Sequence, residues 1–202
     1  MVSQELGNKL IRYMKSKGWR IRPLNIVYLE DANADTWQPV KGRLDEWDDV
    51  RILVSHTGVV LMSAEATCEP GAHYTYNPMN PRGAFRTQCD TQFLDAWEFG
   101  MHHRQQALIQ CASITGFRDA NKDGLRTGDL KVVGPDFGVN QHTTGNNDDD
   151  PPPNKIGLWS AGCFVGRWTK THYNKFLPLV RSMGLKTYDT AIIPADKFAQ
   201  FQ

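Results

Sequence analysis

Gly138-Val-Asn-Gln-His142 and, after a polar loop, Gly157-Leu-Trp-Ser-Ala-Gly-Cys-Phe-Val-Gly-Arg167 decide how this chain is read. Each is a short strand-like piece with a chemically capable side chain, His142 in the first and Cys163 in the second. Residues Thr143 to Asn154 between them read TTGNNDDDPPPN, polar and acidic and closing on three prolines. Neither a helix nor a central strand tolerates that composition, so the segment is expected to be an exposed loop. A long loop allows the two pieces to lie side by side with His142 and Cys163 at one end of a sheet. Reading it as a linker between two domains leaves too little chain after it for a second core.

A cysteine that follows a glycine just past a turn has its sulfur at the lip of the sheet. The N–H groups of Gly162 and Cys163 could then face an incoming carbonyl, giving a nucleophile and an oxyanion hole in one segment. A thiol of pKa about 8.5 is mostly protonated at neutral pH and needs a base. His142 is the candidate. The base needs its own partner to fix its tautomer, and Ser160, Asn140 or a backbone carbonyl could serve. Arg167 is a permanent cation able to grip a substrate carboxylate with two hydrogen bonds. Asn140 and Trp159 are further candidates for substrate contact.

Outward from this region the periodicities are mixed. Ser3 can cap a helix with Leu6, Leu10, Ile11 and Met14 on one face and Gly18 to end it. Strands are expected at Ile21 to Leu29, Arg51 to His56 and Val59 to Met62, the last two as a hairpin about Thr57-Gly58. Glu69 to Arg86, with Pro70, Pro78 and Pro81 among Tyr74 and Tyr76, reads as an ordered aromatic loop. Short strand-like pieces follow at 107–110 and 130–133, then a helix near 171–183, a strand at 187–193 and a last short helix after Pro194. Trp97 is expected in the core.

The chain has 202 residues, 40% of them hydrophobic, enough for one sizeable core. One domain is expected over 1–202: an N-terminal helix in 1–20, a catalytic core in 21–183 and a C-terminal strand and helix in 184–202. The fold class expected is α+β, mainly β. With 23 basic and 22 acidic side chains, there is no global electrostatic case for nucleic acid or for stable association with an anionic membrane. The first 18 residues lack the apolar stretch of a signal peptide, so the chain as written is expected to be cytoplasmic on synthesis. Cys68, Cys89 and Cys111 are expected as buried thiols.

Metal signals are weak, and no cofactor is expected. Asp119, Asn121 and Asp123, with Gly124, start like a calcium loop, but position 12 is Leu130, with Asp129 one early. A network of polar turns is the preferred reading. His73, His102, His103 and His172 lack the spacing of a zinc helix, and His102 and His103, if extended, would face opposite ways.

His142, then the 17 residues 143–159, then Ser160-Ala-Gly-Cys163 resembles the signature of L,D-transpeptidase-type domains, a histidine followed after a gap by Ser or Thr and His-Gly-Cys. Two positions depart from it: Ala161 replaces the second histidine, and the arginine usual two residues after the cysteine is absent, with Arg167 four after it. Together with Asn25-Ile-Val-Tyr28, Asp45-Glu-Trp-Asp48, Glu69-Pro-Gly71, Asn77-Pro-Met-Asn-Pro81 and the Arg118-Asp-Ala-Asn-Lys-Asp-Gly124 stretch, the segment is similar to a divergent, endolysin-like branch among phage and prophage proteins. The resemblance covers Asn25 to Met183. It implies an L,D-transpeptidase-like β-sheet catalytic fold and cleavage of a stem-peptide or cross-link amide of bacterial peptidoglycan through a Cys163 acyl-enzyme. The expected catalytic set is Cys163, His142 and Ser160, acting in the cell wall after release by a pore-forming partner. The alternatives are cross-link formation by transpeptidation, a non-catalytic wall-binding module and a phage structural protein.

Overall fold

The computed structural model describes residues 3–147 and 149–202; Asp148, inside the expected 143–154 loop, lies outside the described residues. Eleven strands are present among them: β1 Leu24–Glu30, β2 Asp49–Ser55, β3 Val60–Thr67, β4 Ala84–Thr87, β5 Thr91–His102, β6 Gln105–Gln110, β7 Ile114–Asp119, β8 Leu130–Gly134, β9 Gln141–Thr143, β10 Phe164–Gly166 and β11 Tyr188–Pro194. Eight close into a barrel in the order β1-β11-β5-β6-β9-β10-β3-β2, and β4-β7-β8 form a separate three-stranded sheet. The pairs β1–β11 and β9–β10 are parallel, and the other neighbours are antiparallel.

Strand β1 explains why the barrel reads as an unbroken apolar run. Ile26 and Tyr28 belong to a core with Leu53, Trp97, Leu108, Phe164 and Phe176. Val27 and Leu29 belong to a second core with Val50, Ile52, Val54, Ala191 and Ile193, to which helix α1, Gln4–Ser16, contributes Leu10, Ile11 and Met14. A strand buried on both faces does not alternate apolar with polar. Helix α1 begins at Ser3, whose hydroxyl accepts the Leu6 N–H at 3.3 Å, and is followed by Gly18 at φ +68°. The tail runs from α3, Thr169–Thr171, through a π turn at His172–Phe176 into α4, Leu177–Arg181, with Pro178, which has no N–H, at the junction. The last helix, α5 Ala195–Gln200, adds Phe198 to the core shared with α1.

Several expectations are corrected. Glu69 to Arg86 is not all loop: it holds a short helix, α2 Ala72–Tyr76, and the start of β4. Strands β4, β5 and β7 were not anticipated. The C-terminal strand expected at 187–193 is β11, which lies between β1 and β5 and completes the barrel. Cys111 is exposed, whereas Cys68 is buried with its thiol and N–H on the Asp49 carboxylate. No helix among the described residues is long and apolar enough to cross a membrane.

Candidate functional site

Strands β9 and β10 run in parallel, pairing Gln141 with Phe164 and Val165 with His142, so Cys163, one residue ahead of β10, reaches the same end of the barrel as His142. The 143–163 connection makes this possible, because a parallel neighbour needs a long crossover. The thiol of Cys163 accepts the Asn140 N–H at 3.5 Å and donates to the Gly138 carbonyl at 3.4 Å. Burial pushes its pKa up to about 11, with the Asn140 N–H acting in the opposite sense. At rest the sulfur is a neutral thiol.

His142 is buried and its Nδ1–H donates to the Thr143 carbonyl at 2.9 Å, so Nε2 carries the lone pair. That Nε2 atom is buried and has no hydrogen-bond partner. Burial, then the neighbouring His102, lower the His142 pKa to about 3, so the ring is a neutral base throughout the ordinary pH range. The partner that fixes the tautomer is therefore the Thr143 carbonyl, one of the alternatives left open by the sequence.

His102 completes the cluster. Its ring centroid is 4.4 Å from that of His142, at 33° between planes. Asn140 Oδ1 accepts the Gln110 N–H at 3.0 Å, which turns Nδ2 toward His102 Nδ1, also at 3.0 Å. His102 Nδ1 is thus an acceptor and the ring is neutral, in keeping with a pKa lowered by burial and by His103. His102 and His103 are not both extended, because the chain turns there with His103 at φ +46° and Arg104 at φ +75°, and their ring centroids lie 4.4 Å apart. One nitrogen from each of His102 and His142 and the Cys163 sulfur lie within 4.8 Å of one another, a donor set that suits zinc. Asp31, Asp48 and Asp49 are a second such group.

Ser160 is relocated in role. Its hydroxyl donates to the Cys163 carbonyl at 2.7 Å and accepts the Gly162 N–H at 3.1 Å, so it builds the turn that leads into Cys163 and makes no hydrogen bond to His142. The same bond engages one of the two expected oxyanion donors, Gly162 N–H, leaving Cys163 N–H as the other. Gly162 has φ +124°, and a Cβ there would come within 2.7 Å of the Phe85 carbonyl, which is why the turn requires glycine. Arg167 has protein partners: its Nη1 donates to Glu65 Oε1 and Oε2 at 3.0 and 3.1 Å, and its Nε to the Pro153 carbonyl at 3.1 Å. It ties the 143–154 loop to β3.

Around Cys163 opens a groove of about 1040 Å³, lined among others by His102, His142, Asn140, Trp159, Arg82 and Arg118. Trp159 is 39% exposed on the groove wall. The motif residues outside the groove's chemistry build its frame. Asp45 Oδ1 accepts the N–H groups of Ala72 and Gly157, and Glu69 joins Arg86 and Arg126. The Asp119 carboxylate pairs with Arg86 and accepts the N–H groups of Asp123 and Gly124, while Asp123 accepts the Leu125 N–H. The calcium candidate at Asp119, Asn121 and Asp123 is thus a turn network whose oxygens are already engaged.

Arg51 was not anticipated. It is 1% exposed, yet no carboxylate pairs with it among the described residues. It donates to the carbonyls of His142 and Phe164, at 3.0 and 2.9 Å, to Tyr28 Oη at 2.5 Å, and lies 3.2 Å from His172 Nδ1. Gly166 leaves room for it, since a Cβ there would be 2.8 Å from its Nη1. Arg51 thus clamps β9, which carries His142, to β10, which follows Cys163. The signal was present in the sequence, a lone cation within the apolar run Val50-Arg-Ile-Leu-Val54.

Comparison with protein-family models, with curated protein sequences and with solved structures finds no match to this chain.

Proposed function

We propose that the chain is a cysteine hydrolase of the L,D-transpeptidase-like, endolysin type, cleaving a peptide amide of bacterial peptidoglycan. The observation that carries this reading is the orphaned, buried Nε2 of His142, on a ring that has a nitrogen within 4.8 Å of the Cys163 sulfur where both residues line an open groove. A buried acceptor without a partner is destabilising unless it has a use, and a proton-accepting nitrogen next to a thiol has an evident one.

In this mechanism a substrate carbonyl enters the groove and the thiol turns from the Gly138 carbonyl toward His142. Sulfur attacks the carbonyl carbon as its proton passes to Nε2, and the Cys163 N–H stabilises the oxyanion. The imidazolium, held by its Nδ1–H on Thr143, gives that proton to the leaving amine as the C–N bond breaks. Water, deprotonated by His142, then hydrolyses the thioester, releasing the acid and restoring the thiol.

The test is incubation of the parent protein and Cys163→Ala with isolated peptidoglycan, followed by mass spectrometry of the soluble fragments. Stem-peptide fragments from the parent alone support hydrolysis and identify the bond. Products that form only with an added amine acceptor would replace hydrolysis by transpeptidation. Silence of both proteins, with and without the amine, would refute catalysis on peptidoglycan.

A further inference from the structure

Two guanidinium groups line the groove without an acidic partner. Arg82 is exposed between α2 and β4, Arg118 is half-buried on β7, and neither forms an ion pair among the described residues. Arg118 is held rather than free. Its guanidinium lies 5.4 Å from the ring centroids of both Phe85 and Phe137, which pack on each other at 4.4 Å. Its one polar contact is a long one, Nη1 to the Gly83 carbonyl at 3.4 Å, and Nε is buried without a partner. Burial and the nearby Arg82 both act against its charge. An exposed carboxylate, Asp136, lines the same groove but pairs with neither arginine.

A cation fixed on an aromatic platform, crowded by a second cation and short of hydrogen-bond acceptors, suits an incoming anion. A planar carboxylate matches the fork geometry of a guanidinium. The position is close to the chemistry, because Phe85 beneath Arg118 abuts Gly162, the residue before the nucleophile. Arg82, Arg118 and Cys163 line the same groove, so one bound peptide can meet the arginines and the thiol together. Arg167, the cation that the sequence suggested for this task, is taken by Glu65.

We infer that Arg82 and Arg118 form the acceptor for a free carboxylate of the bound peptide, so that the groove selects acidic over amidated stem peptides. The inference rests on the peptidoglycan reading of the groove, but its test does not require turnover.

The experiment measures binding of soluble muropeptides to the Cys163→Ala protein by titration calorimetry at low salt. The muropeptides are used untreated or with their carboxyl groups converted to carboxamides. Untreated material is expected to bind about tenfold more tightly or better, the range of a charge-assisted pair in a partly screened site. Arg118→Gln and Arg82→Gln, each made in the Cys163→Ala background, are expected to shrink that preference, and the double variant to erase it. Arg118→Lys should keep part of it. Unaltered affinity of all variants for the amidated peptides shows that the groove is intact. Equal binding of the two forms by the Cys163→Ala protein, or a preference that survives in the double variant, would overturn the carboxylate acceptor alone. Binding of neither form would overturn it together with the peptidoglycan reading.

Discussion

A neutral Cys163 thiol beside a neutral His142 predicts a reactivity unlike that of a preformed thiolate–imidazolium pair. With a pKa of about 11, the ionised fraction at pH 7 is about one in 10⁴. A cysteine of pKa about 8.5 has about three in a hundred, roughly 300-fold more. The rarer thiolate is also the stronger nucleophile. With a Brønsted slope of about 0.45 over the 2.5-unit gap, that recovers roughly tenfold. Exchange of Cys163 with a small aromatic disulfide at pH 7 should therefore be about 20- to 30-fold slower than that of an unstructured cysteine peptide, and should rise about tenfold per pH unit up to pH 10. The rate is read cysteine by cysteine, by peptide mass spectrometry after an acid quench, because exposed Cys111 also reacts. His142→Gln should leave the slope intact while abolishing peptidoglycan cleavage. A rate that is flat between pH 5 and 9, and that becomes pH-dependent in His142→Gln, would refute a neutral resting pair.

The buried His172 ring, accepting from Arg51 and donating to the Gln106 carbonyl, has its pKa lowered to about 3 by burial and then by Arg51. The unfolded chain takes up that proton near pH 6.5, so the stability due to the neutral ring is complete above pH 6.5 and declines as pH falls toward 3, by up to about 1.4 kcal/mol per pH unit. Denaturant unfolding of the parent should lose stability in that window faster than His172→Gln. The difference isolates this ring, because Asp31 and Glu69, raised to about 6 and about 7 and acting in the opposite sense, are common to both proteins; equal slopes would contradict it. Arg167→Ala should lower stability by about 1–2 kcal/mol and speed proteolysis within 143–154 without weakening muropeptide binding, and a lost carboxylate preference would restore Arg167 to the groove. About one equivalent of Zn²⁺ per chain should bind at His102, His142 and Cys163 and block cleavage until a chelator is added. Undiminished zinc affinity in Cys163→Ala would place the ion elsewhere.

What the sequence made legible is what depends on neighbours in the chain. Ser3, the 3–4 spacing of Leu6, Leu10, Ile11 and Met14, and Gly18 are a complete local description of α1. The His142–Cys163 juxtaposition was legible because a proline-rich loop leaves little other option. Strand β5 was hidden by its own irregularity. Asp95 adopts φ +52° in mid-strand, the register against β11 shifts nearby, and its carboxylate meets Arg20 and Arg22. Strands β4 and β7 hid behind Arg86 and Asp119, charges that look solvent-exposed until each is given the other. The Arg167–Glu65 pair was illegible for a related reason, since Glu65 lies 102 residues earlier and no local pattern announces it. His102 was obscured by a turn at His103 and Arg104, whose left-handed backbone no glycine marks.

The placement of β11 between β1 and β5 has a consequence for biosynthesis. Strands far apart in the sequence are wall neighbours, so the cylinder cannot close until residues 188–194 have been polymerised, and β1 and β5 wait with open ladders. Closure across most of the chain's length is slow compared with local hairpins, so the nascent chain depends on the β2–β3 hairpin and the α1 cover to stay out of trouble. A ribosome that stalls ten residues before β11 would release a polypeptide with two exposed edges. Chaperones or proteases would therefore meet open β1 and β5 edges until residues 188–194 have been made.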